Sequence, residues 1–317
     1  MARDAGPHLP VMVEEVLAAL RPVPGGVFID CTYGRGGHAL ALLGVLDPSA
    51  RVIALDRDPA AITAALQHAG EDPRLLAVRA PFSEVASVAD SHGVLGSVNG
   101  LLFDLGVSSP QLDHPDRGFS FQQDGPLDMR MNPDDPLTAE AWLAGADSKE
   151  IAEVLWRFGE ERYSRRIARA ICEARREGPI DSTRRLADIV EAAVPKARRS
   201  KNKRTRPRRH LATRTFQALR IFINRELEEL QAALSQSVGI LAPGGRLVAI
   251  SFHSLEDRIV KRFMRAMARS EPRMESGVAT TEPAFKVMGK PVRPGEKELK
   301  ANPRARSAVL RVAERCA

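Results

Sequence analysis

Three aspartates stand where short apolar runs give way to glycine, serine or proline. Asp30 opens the stretch Asp30-Cys31-Thr32-Tyr33-Gly34-Arg35-Gly36-Gly37-His38-Ala39. Asp56 lies twenty residues beyond Gly36, in Ala54-Leu55-Asp56-Arg57-Asp58-Pro59, and Asp104 heads Asp104-Leu105-Gly106-Val107-Ser108-Ser109-Pro110-Gln111. Glycines directly after a strand let a ligand approach the backbone, and free N–H groups at the start of the following helix favour an anion. A carboxylate at the end of the next strand can accept hydrogen bonds from both ribose hydroxyls of an adenosine-containing ligand. The pair of motifs therefore predicts a nucleoside cofactor.

Which cofactor is left open by the glycines alone, because Gly34-x-Gly36-x-x-Ala39 also satisfies the dinucleotide fingerprint in its final-alanine form. Two details favour S-adenosylmethionine. Asp30 at the strand end can face the methionine ammonium, and Thr32-Tyr33 delays the first glycine past the point where a pyrophosphate turn begins. The third motif suits the acceptor. A cytosine or adenine amine is a poor nucleophile because its lone pair is delocalised into the ring, so acceptors must hold the amine protons and orient the nitrogen. Asp104, the carbonyls of Leu105 and Gly106, and the hydroxyls of Ser108 and Ser109 are candidate acceptors; the plainer alternative is that the serines satisfy only local backbone groups.

The elements that must position these groups alternate. Val27–Cys31, Arg51–Leu55, Leu75–Arg79 and Gly100–Asp104 read as strands, with helices over 37–46 and 59–68. Alternation of this kind implies parallel strands with crossover helices, a doubly wound α/β sheet whose ligands lie at the carboxyl ends of the strands. An irregular stretch follows from Leu105 to Pro136, then helical periodicity from Leu137 to Val194. A long helix is expected over Thr213 to Leu234, strands over Arg246 to Phe252 and Ser307 to Val312, and a capping box of Ser254 with Asp257. The expected domains are residues 1–136 and 213–317, forming one split α/β domain, and an inserted, all-helical basic domain at 137–212.

The chain has 317 residues, 44% hydrophobic and 27% charged, and a net charge of +7. Residues 147–215 hold 20 Lys or Arg against 10 Asp or Glu, which leaves about −3 for the rest. Within that segment Lys196 to Arg209 has nine cations in 14 residues and no acid. Such clustering is the footprint of a polyanion partner, with a solvated linker as the plainer alternative. No apolar run is long enough to span a membrane, and Arg3, Asp4 and His8 occupy the place of a secretory signal, so a cytoplasmic protein is expected. Cys31, Cys172 and Cys316 suggest neither a disulfide framework nor a zinc site. Two rival functions are open on the residues: a nicotinamide-dependent oxidoreductase, and a non-catalytic RNA-binding assembly factor.

Nine segments in order carry a closer resemblance. They are His8-x-Pro10-Val11, the Gly34–Ala39 loop, Ala54–Pro59, Asp104–Gln111, Arg117–Phe121, Asp124–Met131, Thr213–Arg220, Ile250–Arg258 and Asn302–Ser307. Together they resemble the RsmH (MraW) family of ribosomal RNA cytosine-N4 methyltransferases over almost the whole chain. The resemblance implies a Rossmann-like class I methyltransferase fold, S-adenosylmethionine as cofactor, and 16S rRNA or the small ribosomal subunit as partner, with a target cytidine in the decoding region. It further implies that Gly36, Gly37 and His38 contact the cofactor, Asp56 its ribose and Phe82 its adenine, with Asp104 and Gln111 completing the pocket. Asp104–Val107 departs from the D-P-P-Y type of amine methyltransferase motif in lacking its prolines and aromatic ring. The residue that stacks on the target base is thereby unassigned among Phe119, Phe121, Phe252 and His253.

Overall fold

Parallel strands buried on both faces need apolar side chains on alternate residues of either side, and the first strands supply them. Val27–Asp30 (β1), Arg51–Asp56 (β2), Leu75–Arg79 (β3) and Val98–Asp104 (β4) pair in parallel, joined by Leu241–Ser251 (β5). A computed structural model describes residues 10–195, 210–269, 273–275, 278–280 and 282–317. The basic run Lys196–Arg209 lies outside the described residues. Two short strands, Arg273–Glu275 (β6) and Val278–Thr280 (β7), pair with each other. Phe285–Val287 (β8) and Val309–Arg315 (β9) complete a seven-stranded sheet of order β3-β2-β1-β4-β5-β9-β8, in which β9 runs antiparallel to both neighbours.

The chain divides into two compact units, residues 1–106 with 227–317, and residues 107–226. In the first, consecutive residues of each strand serve opposite cores. Ile29, Ile53, Leu101 and Phe103 join one cluster, whereas Phe28, Val52, Ala54 and Leu102 join the other. The helices that cover the sheet are Val13–Leu20 (α1), Gly37–Leu43 (α2), Pro59–Glu71 (α3) and Val85–Ser91 (α4), followed much later in the chain by Glu226–Ile240, Ser254–Met267 and Glu296–Ala301. Strand order reverses between β1 and β4, which opens the crevice expected to hold a ligand at their carboxyl ends.

The second unit is helical: Ser109–Asp113 (α5), Ala139–Gly145 (α6), Ser148–Gly159 (α7), Ser164–Glu177 (α8), Thr183–Ala193 (α9) and Thr213–Ile223 (α10). Its core comes from the apolar stripes of these helices, among them Ile151, Leu155, Ile167, Ile171, Leu186, Val190 and Leu219. Asp147 caps α7 in a reciprocal box with Glu150, so α7 starts on a polar residue and then buries its apolar stripe.

Two local expectations are corrected. The helix foreseen over Thr213 to Leu234 is two, α10 and Glu226–Ile240 (α11), separated at Asn224 and Arg225. Arg225 has φ 51°, and buried Asn224 donates from Nδ2 to the Met129 carbonyl and accepts from the Met131 N–H, both at 2.7 Å. The box at the start of Ser254–Met267 (α12) is formed one residue earlier, by His253 and Glu256. Buried Glu256 accepts from the N–H groups of Phe252 and His253 at 2.8 and 3.3 Å, which fixes the register of the cap. Glu296–Ala301 is α13.

Candidate active site

Asp30 ends β1 with only 2% of its surface exposed. Its Oδ1 accepts from the Thr32 N–H at 3.1 Å, while Oδ2 has no partner among the described residues. An ionised carboxylate in such a place lacks solvation, and burial pushes its pKa up to about 6 even though the nearby His38 pulls it down. Asp56, at the end of β2, is half-buried. It accepts from the Gly34 N–H at 2.8 Å and the Asp58 N–H at 2.9 Å, and burial again outweighs these bonds to set its pKa near 6. Asp58 in turn caps α3 through the Ala60 N–H at 3.0 Å, with Pro59 in the first helical position. Helix start and carboxylate are thus set by one hydrogen-bonded turn.

The loop between Asp30 and α2 fits closely around its glycines. Gly36 caps α2 at φ 80°, and a Cβ there would collide with the Tyr33 hydroxyl oxygen; a Cβ on Gly37 would meet Pro10 at 2.7 Å. Tyr33 is buried, with its hydroxyl 2.6 Å from His68 Nδ1 on α3. Burial is the main reason its pKa is pushed up to about 12, so it stays neutral. Among the described residues no side chain caps the N–H groups at the start of α2. His38, in its first turn, is 6% exposed and has its Nε2 3.4 Å from Asp104 Oδ2. That separation gives charge attraction without hydrogen-bond alignment: both ring nitrogens and Asp104 Oδ1 have no hydrogen-bond partner among the described residues. Burial opposes the imidazolium, but the contact with Asp104 and the charge of Asp30 outweigh it, and the His38 pKa is raised.

Asp104 ends β4, and its N–H donates to Thr32 Oγ1 at 2.7 Å, which ties the β4 end to the β1 loop. Phe82, after β3, is half-buried with its ring edge-on to Phe103 at 5.9 Å. The first unit therefore brings together Gly36, Gly37, His38, Asp56 and Asp104, with Asp30, Thr32 and Tyr33 beside them, and sets Phe82 against the residue preceding Asp104. Ser108, Ser109 and Gln111 belong to the second unit. There Ser108 caps α5 and Gln111, 5% exposed, accepts from the Ser108 N–H at 2.9 Å, while Ser109 begins the helix half-exposed.

Acceptors on Asp30 and Asp104 that have no partner among the described residues suit a ligand that carries positive charge and N–H donors, and the Asp56 carboxylate at the next strand end suits one with hydroxyls. Both features fit S-adenosylmethionine, whose ammonium, sulfonium and ribose hydroxyls need acceptors. Thr32 and His68 are participants that sequence patterns do not disclose, since their roles arise from contacts with Asp104 and Tyr33 across 72 and 35 residues.

Among the four aromatic candidates, Phe119 is buried and Phe121 packs against His210 and Phe216, at 4.6 and 4.8 Å between ring centres. His253 is engaged as the cap of α12. Phe252 is half-buried beside Gly106, where a Cβ would lie 3.8 Å from its ring.

Comparison with known proteins identifies relatives of the whole chain. Residues 5–316 match the model of the MraW methylase family. A ribosomal RNA small subunit methyltransferase H of Thioalkalivibrio sulfidiphilus is 51% identical over 319 aligned positions, covering 99% of both chains. One of the same name from Nitrosococcus oceani is 52% identical, covering 97% of this chain and 96% of that one. Among solved structures, an rRNA methylase of Streptococcus thermophilus aligns over 96% of this chain and 95% of its own, with 10% identity and a TM-score of 0.43.

Proposed function

The chain belongs to the MraW methylase family, and from that premise we propose that it methylates the exocyclic N4 amine of a cytidine in the decoding region of small-subunit ribosomal RNA. The observation that carries the reading is the convergence of three carboxylates, Asp30, Asp56 and Asp104, at the ends of adjacent parallel strands, two of them with buried oxygens that have no partner among the described residues. The protein is an S-adenosylmethionine-dependent ribosomal RNA methyltransferase, and the cofactor supplies an electrophilic methyl group on a sulfonium.

The chain's residues bind, orient and exclude water. Asp30 accepts from the cofactor's ammonium and Asp56 from the ribose, with Gly36, Gly37 and His38 against the cofactor and Phe82 beside the adenine. Asp104 faces the target amine, with the Leu105 and Gly106 carbonyls as further acceptors. Acceptors on the amine protons direct the nitrogen lone pair at the methyl group, and the charge dispersal of the transition state favours a water-poor setting. The amine is strongly acidic once methylated, so Asp104 or water takes its proton without a tuned base. Phe252 supplies the face on which the base stacks. Lys196–Arg209 contacts the RNA backbone, where cations give affinity and position but no base specificity. No described helix is long and apolar enough to cross a membrane, and the protein acts in the cytoplasm, where its substrate is made.

The test is methyl transfer from labelled S-adenosylmethionine to small-subunit RNA from a strain lacking this activity, followed by digestion and mass spectrometry. The expected product is N4-methylcytidine at one position. A protein that binds the RNA and transfers no label would refute the reading.

A further inference from the structure

We infer that the first unit carries its own groove for an RNA phosphodiester backbone, between α12 and the edge strand β8, in addition to the basic segment of the chain. The inference rests on the ribosomal RNA substrate proposed above. Phe263 of α12 packs on Phe285 of β8 with ring centres 6.0 Å apart, and this contact sets the helix and the chain after the strand side by side. Between them lies a cavity of about 220 Å³. Lys261 and Arg265 stand on its helix side and Lys290 on the other, over apolar surface from Met264, Val287 and Met288.

The charges on this groove are not balanced from within. Arg258 to Arg269 holds five cations and no acid, and Phe285 to Arg293 holds three cations and no acid. The nearest acid along α12, Asp257, is engaged by Arg311 in a two-point pair at 2.7 and 3.0 Å. Lys261, Arg265 and Lys290 form no ion pair among the described residues. An ordinary solvated helix face alternates charge signs, whereas this one presents a single sign around a concavity. It does so outside residues 147–215, where the chain as a whole is slightly acidic. Cations around an apolar floor match a strand that offers phosphates to the rim and a sugar or base face to the floor. Sheet order places β4, β5 and β9 between this groove's strand and β1, so the occupant is a part of the RNA away from the target nucleotide.

The experiment uses the full chain with Lys261→Glu, Arg265→Glu and Lys290→Glu combined, and small-subunit RNA lacking the modification as the probe. Direct RNA binding is measured against salt concentration, together with kcat, KM for RNA and affinity for S-adenosylmethionine. We expect KM for RNA to rise about tenfold or more, and the salt slope to flatten by roughly 0.7 to 0.9 log units per lost phosphate contact. Values of kcat and cofactor affinity should stay within about twofold, and Lys261→Arg with Lys290→Arg should bind RNA as the parent does. Circular dichroism and cofactor binding report folding; should the triple Glu variant be unfolded, the triple Ala variant is used with the same expected directions. Unchanged RNA affinity and salt slope in a folded variant would overturn the inference. So would a KM raised for assembled subunits but not for naked RNA, which would assign the groove to an acidic protein segment. A parent protein that binds RNA with this salt dependence but methylates none would count against the proposed function and leave the groove standing.

Discussion

His38 Nε2 faces Asp104 Oδ2 at 3.4 Å, with Asp30 close enough to raise the imidazole pKa further. One proton-binding ring therefore stands among carboxylates that are meant to meet a cationic ligand. Asp30 and Asp56 both titrate near pH 6, and each holds the cofactor more strongly when ionised, as a charged acceptor. Affinity for S-adenosylmethionine is expected to be level above about pH 7 and to fall below about pH 6, by up to tenfold per pH unit for each carboxyl that must lose its proton. In His38→Asn the cation that lowers the Asp30 pKa is gone, so the fall should begin at higher pH. Calorimetric titrations from pH 5 to 8 decide this; a flat profile would exclude the carboxylates as ligands.

Asp30 should also cost the free protein stability. Its folded pKa, about 6, exceeds the ordinary value of 3.8, so the folded state holds more protons than the unfolded state between those values. Its contribution therefore favours folding most at low pH, is lost as pH rises from about 4 to about 6, and stays lost above that. Asp30→Asn is expected to stabilise the free protein at pH 7.5 by on the order of 1 to 3 kcal/mol while weakening cofactor binding more than about tenfold. Urea denaturation at pH 5 and 7.5 measures it, and equal loss of stability at both would mean that the carboxylate is structural.

Asp56→Ala is expected to weaken S-adenosylmethionine binding by roughly 1.5 to 3 kcal/mol, the scale for losing charge-assisted hydrogen bonds. Asp56→Asn should fall between, because it keeps one acceptor for the Gly34 or Asp58 N–H. Unchanged affinity in the folded Ala variant would show that the ribose is held elsewhere.

The cysteines bear on the chemistry of transfer. Methylation at cytosine carbon 5 normally needs a thiolate to add to the ring. Cys31 is the cysteine beside Asp30, and burial pushes its thiol well above the ordinary range. The variant Cys31→Ala, Cys172→Ala, Cys316→Ala should keep substantial turnover and yield N4-methylcytidine. Complete inactivity in a folded, cofactor-binding triple variant would contradict direct transfer, as would 5-methylcytidine in the digest.

Neutralising Arg204, Arg206, Arg208 and Arg209 should weaken RNA binding and flatten its salt dependence by about 0.7 to 0.9 log units per lost contact, with cofactor affinity almost unmoved. An unchanged slope would make that run a linker.

The strand ends bearing Asp30, Asp56 and Asp104 are legible in the sequence because buried parallel strands are continuous apolar runs, and a carboxylate closing such a run stands out. Contacts that bridge distant segments are not. Helical spacing passes straight through Asn224 and Arg225, but the backbone there is redirected because Asn224 satisfies two backbone groups of the Met129–Met131 segment. Propensity selects Ser254 as a cap, whereas Glu256, buried under the turn, moves the cap to His253. β8 is three residues with two exposed, too short for alternation to register, and Phe285 alone anchors it. The Tyr33–His68 contact leaves no trace, since each residue by itself fits its own element.

The order of strands in the sheet has a consequence for how the protein is made. Synthesis proceeds from the amino end, so β1 to β4 emerge before β5, their next neighbour, with all of residues 107–226 translated in between. During that interval β4 presents an open edge whose Leu101, Leu102 and Phe103 are fully covered in the finished sheet. The helical unit is continuous in sequence and draws its contacts from nearby segments, so it is free to collapse while that edge waits. The interval exposes a hydrophobic template of the kind on which nascent chains aggregate, and the speed at which the ribosome crosses the helical unit sets how long it lasts.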